Sequence, residues 1–435
     1  MRAPSFLTLA AVVTLGAAVL GAQQKRVEPI RVTPQPLLGV GTNTATVAGP
    51  DAFFDDNVLQ EIRLTMNARD WQTLKDNYLD NTYYPADFRW RDQIVRNIGI
   101  RSRGTGSRSG VKPGLRVDFD RYVGNQKFLT LKSFVLRNNT QDSTNMHERI
   151  SMLLFRRLGE PAPRETHTRM YVNDVYAGLF TIVESIDKDF LKKTFGEDSG
   201  WLYKYDYPSD GTPYYFTDKG SSGSAYVPLP FKPETRETDP QGDTIAQWVQ
   251  TVNAATPANF ESMVSPFIDL QKFLRHVAVE VFLADYDGFI GNYGINNFYV
   301  YRFDNTRVFR LIAWDKSEAF KAGPDASILH NITGIPDSQR NRLFHGALGV
   351  TSLSNYFFNT LLECARSTSE LVAGDARGWM EREVEKEYSQ IRQAAREDTE
   401  KPYSNDDFEA AVNTLRDFAT RRAGFVTTEA TSQLR

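Results

Sequence analysis

The chain has 435 residues, a net charge of −3, 41% hydrophobic residues and 24% charged residues. That length leaves room for two lobes or domains with sizeable cores. The near-neutral balance, with no long basic run, speaks against a nucleic-acid binder. A single cysteine, Cys364 in the apolar run NYFFNTLLECA, excludes an internal disulfide and reads as a small core residue.

At the N-terminus, Arg2 precedes an apolar stretch over 6–20 and then Gly21-Ala22-Gln23. This is the pattern of a signal peptide over 1–22, too short for a comfortable membrane span. Export is expected; an uncleaved anchor is the rival reading. Residues 23–52 mix Gln, Thr, Pro, Val and Gly without periodicity and read as a linker. Structure is expected to begin with the alternating strand 58–66, followed by a helix capped by Asn67. A strand over 95–103, a Gly/Ser loop over 104–110 and a strand over 112–119 come next. After an apolar stretch at 128–136, Met146, Ile150, Leu153, Leu154 and Leu158 fall at helical spacing. Strands over 168–172 and 177–183 turn at Asn173-Asp174. Residues 53–204 therefore form a strand-rich N-terminal lobe.

Residues 205–242, rich in Tyr, Pro, Ser, Gly and Asp, read as an irregular insertion. From 243 to 426 the chain turns helical, with Asp269 as a cap and stripes at Met380/Val384/Tyr388/Ile391 and Phe408/Val412/Leu415/Phe418. Ser404 with Asp407 makes a variant capping box. One hairpin interrupts the helices, with strands over 297–303 and 307–313 and Asp304-Asn305 at its turn. The fold class expected is α+β and bilobal, with a helix-rich C-terminal lobe holding that hairpin.

The hairpin carries the chemistry. Asp287 and Asp315 stand in loops at its two open ends, so the fold brings them close although 28 positions separate them. Two carboxylates with nearby Asn side chains suit a hard cation and the phosphates it carries. The order Asp, Asn, short hairpin, Asp is also that of a protein-kinase phosphoryl-transfer site. In that reading Asp287 orients the acceptor hydroxyl, with Asp285 competing for the role, and Asp315 binds metal. The amide ligand is Asn292 by count, or Asn296 or Asn297 by position at the strand entry. In the first half, Arg103 lies in the Gly/Ser loop and Lys112 opens the next strand; both can reach phosphate oxygens. Glu148 is a helix partner for Lys112, with Arg149 as the alternative inward residue. Glu184 is a second candidate partner or an adenine-side group. The five histidines take no HExxH spacing, and no Gly-x-Ser-x-Gly elbow is present. A calcium-binding adhesion module could use the same Asp and Asn residues without catalysis.

Several long segments in order, RSRGTGS, KPGLRVDF, LRNNTQDSTNMHERISMLLFRRLGEPAPR, YVNDVYAGLFTIVESID, WLYK, FLADYDGFIGN, NNFYVYR and IAWDKSEAF, resemble the CotH family of atypical secreted kinases from about residue 58 to 425. The resemblance implies a diverged, minimal kinase fold that uses ATP with Mg²⁺ or Mn²⁺ to phosphorylate Ser or Thr in secreted or coat proteins. It places Asp287 as the catalytic-loop Asp and Asp315 as the metal-binding Asp. Arg103 falls in the Arg-Gly loop, Lys112 in the Lys-containing strand, and Glu184 and Asp187 in the Glu-x-Ile-Asp segment. Many relatives carry a second acidic residue two positions after the metal-binding Asp; here that position is Ser317. A catalytically inactive surface or assembly module on the same fold is the alternative.

Overall fold

The structure is a computed structural model that describes residues 49–434. The leader expected at 1–22 and all but the end of the 23–52 linker lie outside the described residues. Among the described residues the strands are β1 (Gln60–Met66), β2 (Tyr84–Trp90), β3 (Gln93–Ser102), β4 (Leu115–Asp118), β5 (Ser133–Arg137), β6 (Glu165–Val172), β7 (Val175–Glu184), β8 (Trp201–Tyr205), β9 (Phe231–Pro233), β10 (Phe298–Arg302) and β11 (Phe309–Ala313). The helices are α1 (Pro50–Phe53), α2 (Ala68–Asp76), α3 (His147–Arg157), α4 (Lys188–Phe195), α5 (Gly242–Ala254), α6 (Phe260–Val264), α7 (Leu270–Phe282), α8 (Arg342–Leu348), α9 (Thr351–Thr368), α10 (Trp379–Glu397) and α11 (Asn405–Thr431). The class is mixed α+β.

The first seven strands close into a barrel in the order β1-β2-β3-β4-β5-β7-β6, sealed by parallel pairing of β1 with β6. Alternation sets what fills it, because successive strand residues point to opposite faces. Ile62 and Leu64, Phe88 and Trp90, Ile98 and Ile100, Leu115 and Val117, Phe134 and Leu136, and Phe180 and Ile182 form one buried cluster. Structure begins earlier than the 58–66 strand. α1 drives Phe53 into the barrel, edge-on to Phe88, Trp90, Phe128 and Phe134 at 5.1–6.4 Å. The β6–β7 turn is the expected Asn173-Asp174, both at positive φ, as a tight hairpin turn requires.

Three sequence expectations shift. β2 was not foreseen. The strand expected over 112–119 starts only at Leu115, since Pro113 has no N–H for the ladder. In the 128–136 stretch, Leu129 and Thr130 turn at positive φ inside a Phe128–Leu131 bridge, leaving β5 to begin at Ser133.

A second sheet, β11-β10-β8-β9, draws β8 from the stretch assigned to the first lobe and β9 from the 205–242 insertion. The boundary at 204 therefore cuts through a strand that belongs with the hairpin. Val135 and Val183 on the outer barrel face pack with Leu202, Tyr299, Tyr301, Ile312 and Trp314 of this sheet. The helices α5 to α11 and the far side of the sheet share the largest core, which also contains Cys364, fully buried. Barrel, second sheet and helices belong to one compact unit. Among the described residues no helix is long and apolar enough to cross a membrane.

Candidate active site

α7 ends where Ala284 turns to positive φ, and the chain enters a tightly folded loop. Asp285 Oδ1 accepts the Asp287 N–H at 3.1 Å, Tyr286 O accepts the Asn292 N–H at 2.8 Å, and Gly288 O accepts the Asn296 N–H at 3.2 Å. These bonds present Asp287 half-buried at the entry to β10. Asn296 Nδ2 donates to Asp287 Oδ1 at 3.0 Å, and Asn297 Nδ2 donates to Oδ2 at 2.8 Å. Asp315 follows β11 at φ 52, two residues past the Phe298–Ala313 pair that ends the hairpin.

The Asp315 charge acts on Asp287. Burial raises the Asp287 pKa above its ordinary value and the Asp315 charge adds to the rise, while the two Asn donors and Lys316 oppose it. Asp315 goes the other way. Burial is more than offset by Arg137, whose Nη1 lies 2.7 Å from Asp315 Oδ2, and Asp315 is held below the usual carboxylate range. One carboxylate inclined to take a proton beside one inclined to stay ionised is a division of labour suited to proton transfer next to a charge-binding site.

A buried ionic knot fixes this geometry. Lys316 places Nζ 2.6 Å from Glu280 Oε1 of α7 and 3.0 Å from Asp285 Oδ2, with no exposure of any of the three side chains. Glu280 Oε2 also accepts the Phe289 N–H at 2.8 Å. The lysine next to Asp315 thereby ties its loop to the Asp287 loop. Arg422 of α11 braces the same region from below, donating to the carbonyls of Val281, Phe282, Pro324 and Ala326. A cleft of about 840 Å³ opens between the barrel and the second sheet, lined by Val135, Ile186, Tyr299 and Trp314 with Arg103 and Arg116 among its cations. Desolvation and the neighbouring Arg137 push the Arg103 guanidinium down to about 10.

The structure joins Asp287 to Asn296 and Asn297, sets Asp315 near enough for its charge to act on Asp287, connects Glu148 to Asp315 through Arg137, and lays Arg103 beside Arg137 over Trp314. Others it removes. Asn292 is exposed and its Oδ1 meets His330 Nε2 at 2.9 Å, so the residue chosen by count faces a different cavity. Lys112 is buried, its Nζ 2.6 Å from Asp398 Oδ2 and 2.8 Å from Leu179 O. That pairing fastens the barrel to the end of α10 and leaves no ammonium for a phosphate. Glu148 accordingly pairs with Arg137 (Nε to Oε2, 2.7 Å) rather than with Lys112, while Arg149 turns to Glu387 and Asp56. Glu184 is held by Arg164 and Lys193, which line yet another cavity. Asp187 caps α4, accepting the Phe190 N–H, and unlike these it stays on the wall of the cleft of about 840 Å³. Asp285 is sealed in the Lys316 knot. Arg137 was missed, though its signal was present: in SFVLR, Phe134 and Leu136 fill the barrel, so Arg137 must emerge on the cleft face beside Val135.

Among the described residues no group of three or more His, Cys, Asp or Glu side chains is placed to hold a metal ion. The donor set is two carboxylates and two amides. That chemistry fits a hard divalent cation completing its shell with water and substrate phosphate rather than an all-protein cage.

A barrel joined to a hairpin-bearing helical layer, with two unlike carboxylates at the hairpin mouth, defines a mixed α+β protein. The profile of the CotH kinase protein family matches residues 100–426, and the chain belongs to that family. It is 25% identical over 253 residues to the inner spore coat protein H of Bacillus subtilis (strain 168), covering 58% of this chain and 67% of that protein. It is 26% identical over 174 residues to the invasin CotH3 of Rhizopus delemar, covering 38% of this chain but only 27% of the invasin. Among solved structures, a chain of the Shewanella oneidensis MR-1 toxin–antitoxin complex of HipA, HipB and operator DNA aligns with TM-score 0.31 and 13% identity, over 77% of this chain and 63% of that one. The Helicobacter pylori proinflammatory kinase CtkA aligns with TM-score 0.30 and 9% identity, over 73% and 94%. Structural likeness of that size carries no functional weight.

Proposed function

We propose that this chain is an exported CotH-type protein kinase that transfers the γ-phosphate of ATP to Ser or Thr of extracytoplasmic proteins. The observation that carries the reading is the placement of Asp287 and Asp315 at the open end of the β10–β11 hairpin, where the Asp315 charge acts on Asp287, within a member of the CotH kinase protein family. In this reading the barrel and the helical layer act as the two lobes, and the nucleotide lies in the cleft between them. Its base stacks on the Trp314 and Tyr299 side and its phosphates point towards Arg103. Asp315 and the Asn297 amide would hold Mg²⁺ or Mn²⁺, which when bound would neutralise charge on the phosphates. Asp287 orients the acceptor hydroxyl and takes its proton as the new O–P bond forms and ADP leaves with the electron pair of the broken one. Asn296 and Asn297 hold the Asp287 carboxylate in the required orientation. The leader pattern and the names of the relatives, a spore coat protein and an invasin, support an extracytoplasmic location.

Those same names favour one second reading, a surface or assembly module without catalysis. Labelled ATP with Mg²⁺ and casein, or the chain itself as acceptor, separates the two. Metal-dependent transfer is expected, and it should vanish in Asp287→Ala and Asp315→Ala. No transfer by the unaltered protein, with Mg²⁺ or Mn²⁺, would leave the non-catalytic reading.

A further inference from the structure

Four arginines, Arg101, Arg103, Arg116 and Arg137, share the outer barrel face, and Arg103 and Arg137 lie over Trp314. Ile100, Leu115, Val117, Phe134 and Leu136 point into the barrel, so Arg103, Arg116 and Arg137 emerge on the opposite side, towards the second sheet. Arg116 pairs with Arg101 on one side and Val135 on the other. One row further along, the Arg103 N–H donates to Gly114 O at 2.9 Å, and Arg137 follows Leu136, the partner of Leu115. A glycine therefore stands between Arg103 and Arg137, and no side chain separates them. Both guanidiniums cover the Trp314 ring, at 5.9 and 5.1 Å from its centroid.

Arg137 is the one of these aimed at the reacting centre. It is 7% exposed and bridges Glu148 on α3 to Asp315, at 2.7 Å to each. Its Nη2 is buried with no hydrogen-bond partner. A buried guanidinium donor left unpaired is costly, and a planar fork is suited to a phosphoryl group. The guanidinium also lines a small cavity with Glu148, Ser317 and Ser107 of the Gly/Ser loop. A strand cation held by a helix glutamate beside the metal-binding aspartate is a working arrangement for phosphoryl transfer. Lys112 cannot supply it, because Asp398 and Leu179 O hold its ammonium.

We propose that Arg137, not Lys112, is the cation that grips the terminal phosphate at this site, with Glu148 as the positioning residue behind it. The proposal rests on the nucleotide reading above and deepens it. Calorimetric titration with adenosine, AMP and a non-hydrolysable triphosphate analogue, each with Mg²⁺, isolates the phosphate contact from general damage to the site. In Arg137→Gln, affinity for the triphosphate analogue should fall about tenfold or more, the loss expected for a charge-assisted hydrogen bond. Adenosine affinity should change less than about twofold. Glu148→Gln should show the same phosphate dependence at smaller size. Lys112→Met should lower the melting temperature while leaving all three affinities in place. Should Arg137→Gln fail to fold, Arg137→Lys keeps the cluster's charge and removes only the fork, and an intermediate loss confined to the triphosphate supports the assignment. Equal losses across the three ligands, or none, would overturn it, as would a phosphate-dependent loss in Lys112→Met. If the unaltered protein binds none of the three, the nucleotide reading itself fails.

Discussion

Lys316 Nζ lies 2.6 Å from Glu280 Oε1, and neither side chain has any exposed surface. With Asp285 at 3.0 Å on its other side, this one ammonium neutralises two buried acids and pins both carboxylate-bearing loops. Removing one partner of a buried pair leaves an uncompensated charge. Lys316→Met should therefore cost about 3–5 kcal/mol in urea unfolding at neutral pH. The pH dependence has a definite sign. Burial raises the Asp285 carboxyl to about 6, against 3.8 in the unfolded chain. The native state then keeps a proton that the unfolded state releases, so stability declines as pH rises from about 4 to about 6. Glu280 is held at about 2 because Lys316 and His276 outweigh its burial. Its contribution is present above the ordinary Glu range and lost as pH falls towards 2. Without Lys316 both acids resist ionisation, so the variant's deficit should be larger at pH 7 than at pH 5. An equal deficit at the two pH values would count against the ion pairing.

Gly288 has no room for a side chain. A Cβ there would stand 2.6 Å from the Glu280 carboxylate, the group that holds Lys316 and the Phe289 N–H. Gly288→Ala should destabilise by about 1–3 kcal/mol through forced overpacking and lower turnover by displacing Asp287. Gly124→Ala, where nothing lies within 4 Å of the new methyl group, serves as the control and should stay within about 0.5 kcal/mol of the unaltered protein. Thermal melts of the pair decide the matter.

Phosphate transfer should show an acid limb centred above the ordinary aspartate value, because burial and the Asp315 charge raise the Asp287 pKa and only the ionised form accepts the hydroxyl proton. The rate should fall as pH drops through that limb. Asp287→Asn should abolish the limb and lower the plateau by about 10²–10⁴-fold. A pH–rate profile at saturating Mg·ATP measures both, and a rate that does not fall on acidification removes Asp287 from the base role.

Phe53 contributes no strand, yet it sits at the centre of the barrel's aromatic cluster with no exposure. Phe53→Ala should cost about 3–5 kcal/mol, read as a lower urea midpoint with the m-value unchanged. A loss near zero would mean that the barrel closes without its plug.

Local patterns were legible where their physics is local. The β10–β11 hairpin follows from runs of aromatic and β-branched residues around Asp304-Asn305, and the structure places strands there with Asn305 at positive φ. Asn67, Asp269 and Ser404 cap helices as their side chains and positions require. Asp287 and Asp315 stand at the same end of the hairpin because a two-stranded ribbon brings its open ends together, which is again a short-range consequence. What failed was partner choice. Lys112 looked like a phosphate ligand because it opens a strand-like run, yet it pairs with Asp398, 286 residues away. Asn292 fitted by count but faces His330.

Many of the strands and helices, the two hairpin-mouth carboxylates and a resemblance specific enough to indicate the family could be read along the chain, because periodicity, turn chemistry and capping act over a few residues. Only the tertiary structure decided which cation meets Asp315, which glutamate stands behind that cation, and that Lys316 knots the loops together. Buried charges must be paired, and the partner is set by which faces the closed barrel turns towards the hairpin. The Arg137–Asp315 contact spans 178 residues, and no pattern along the chain encodes it.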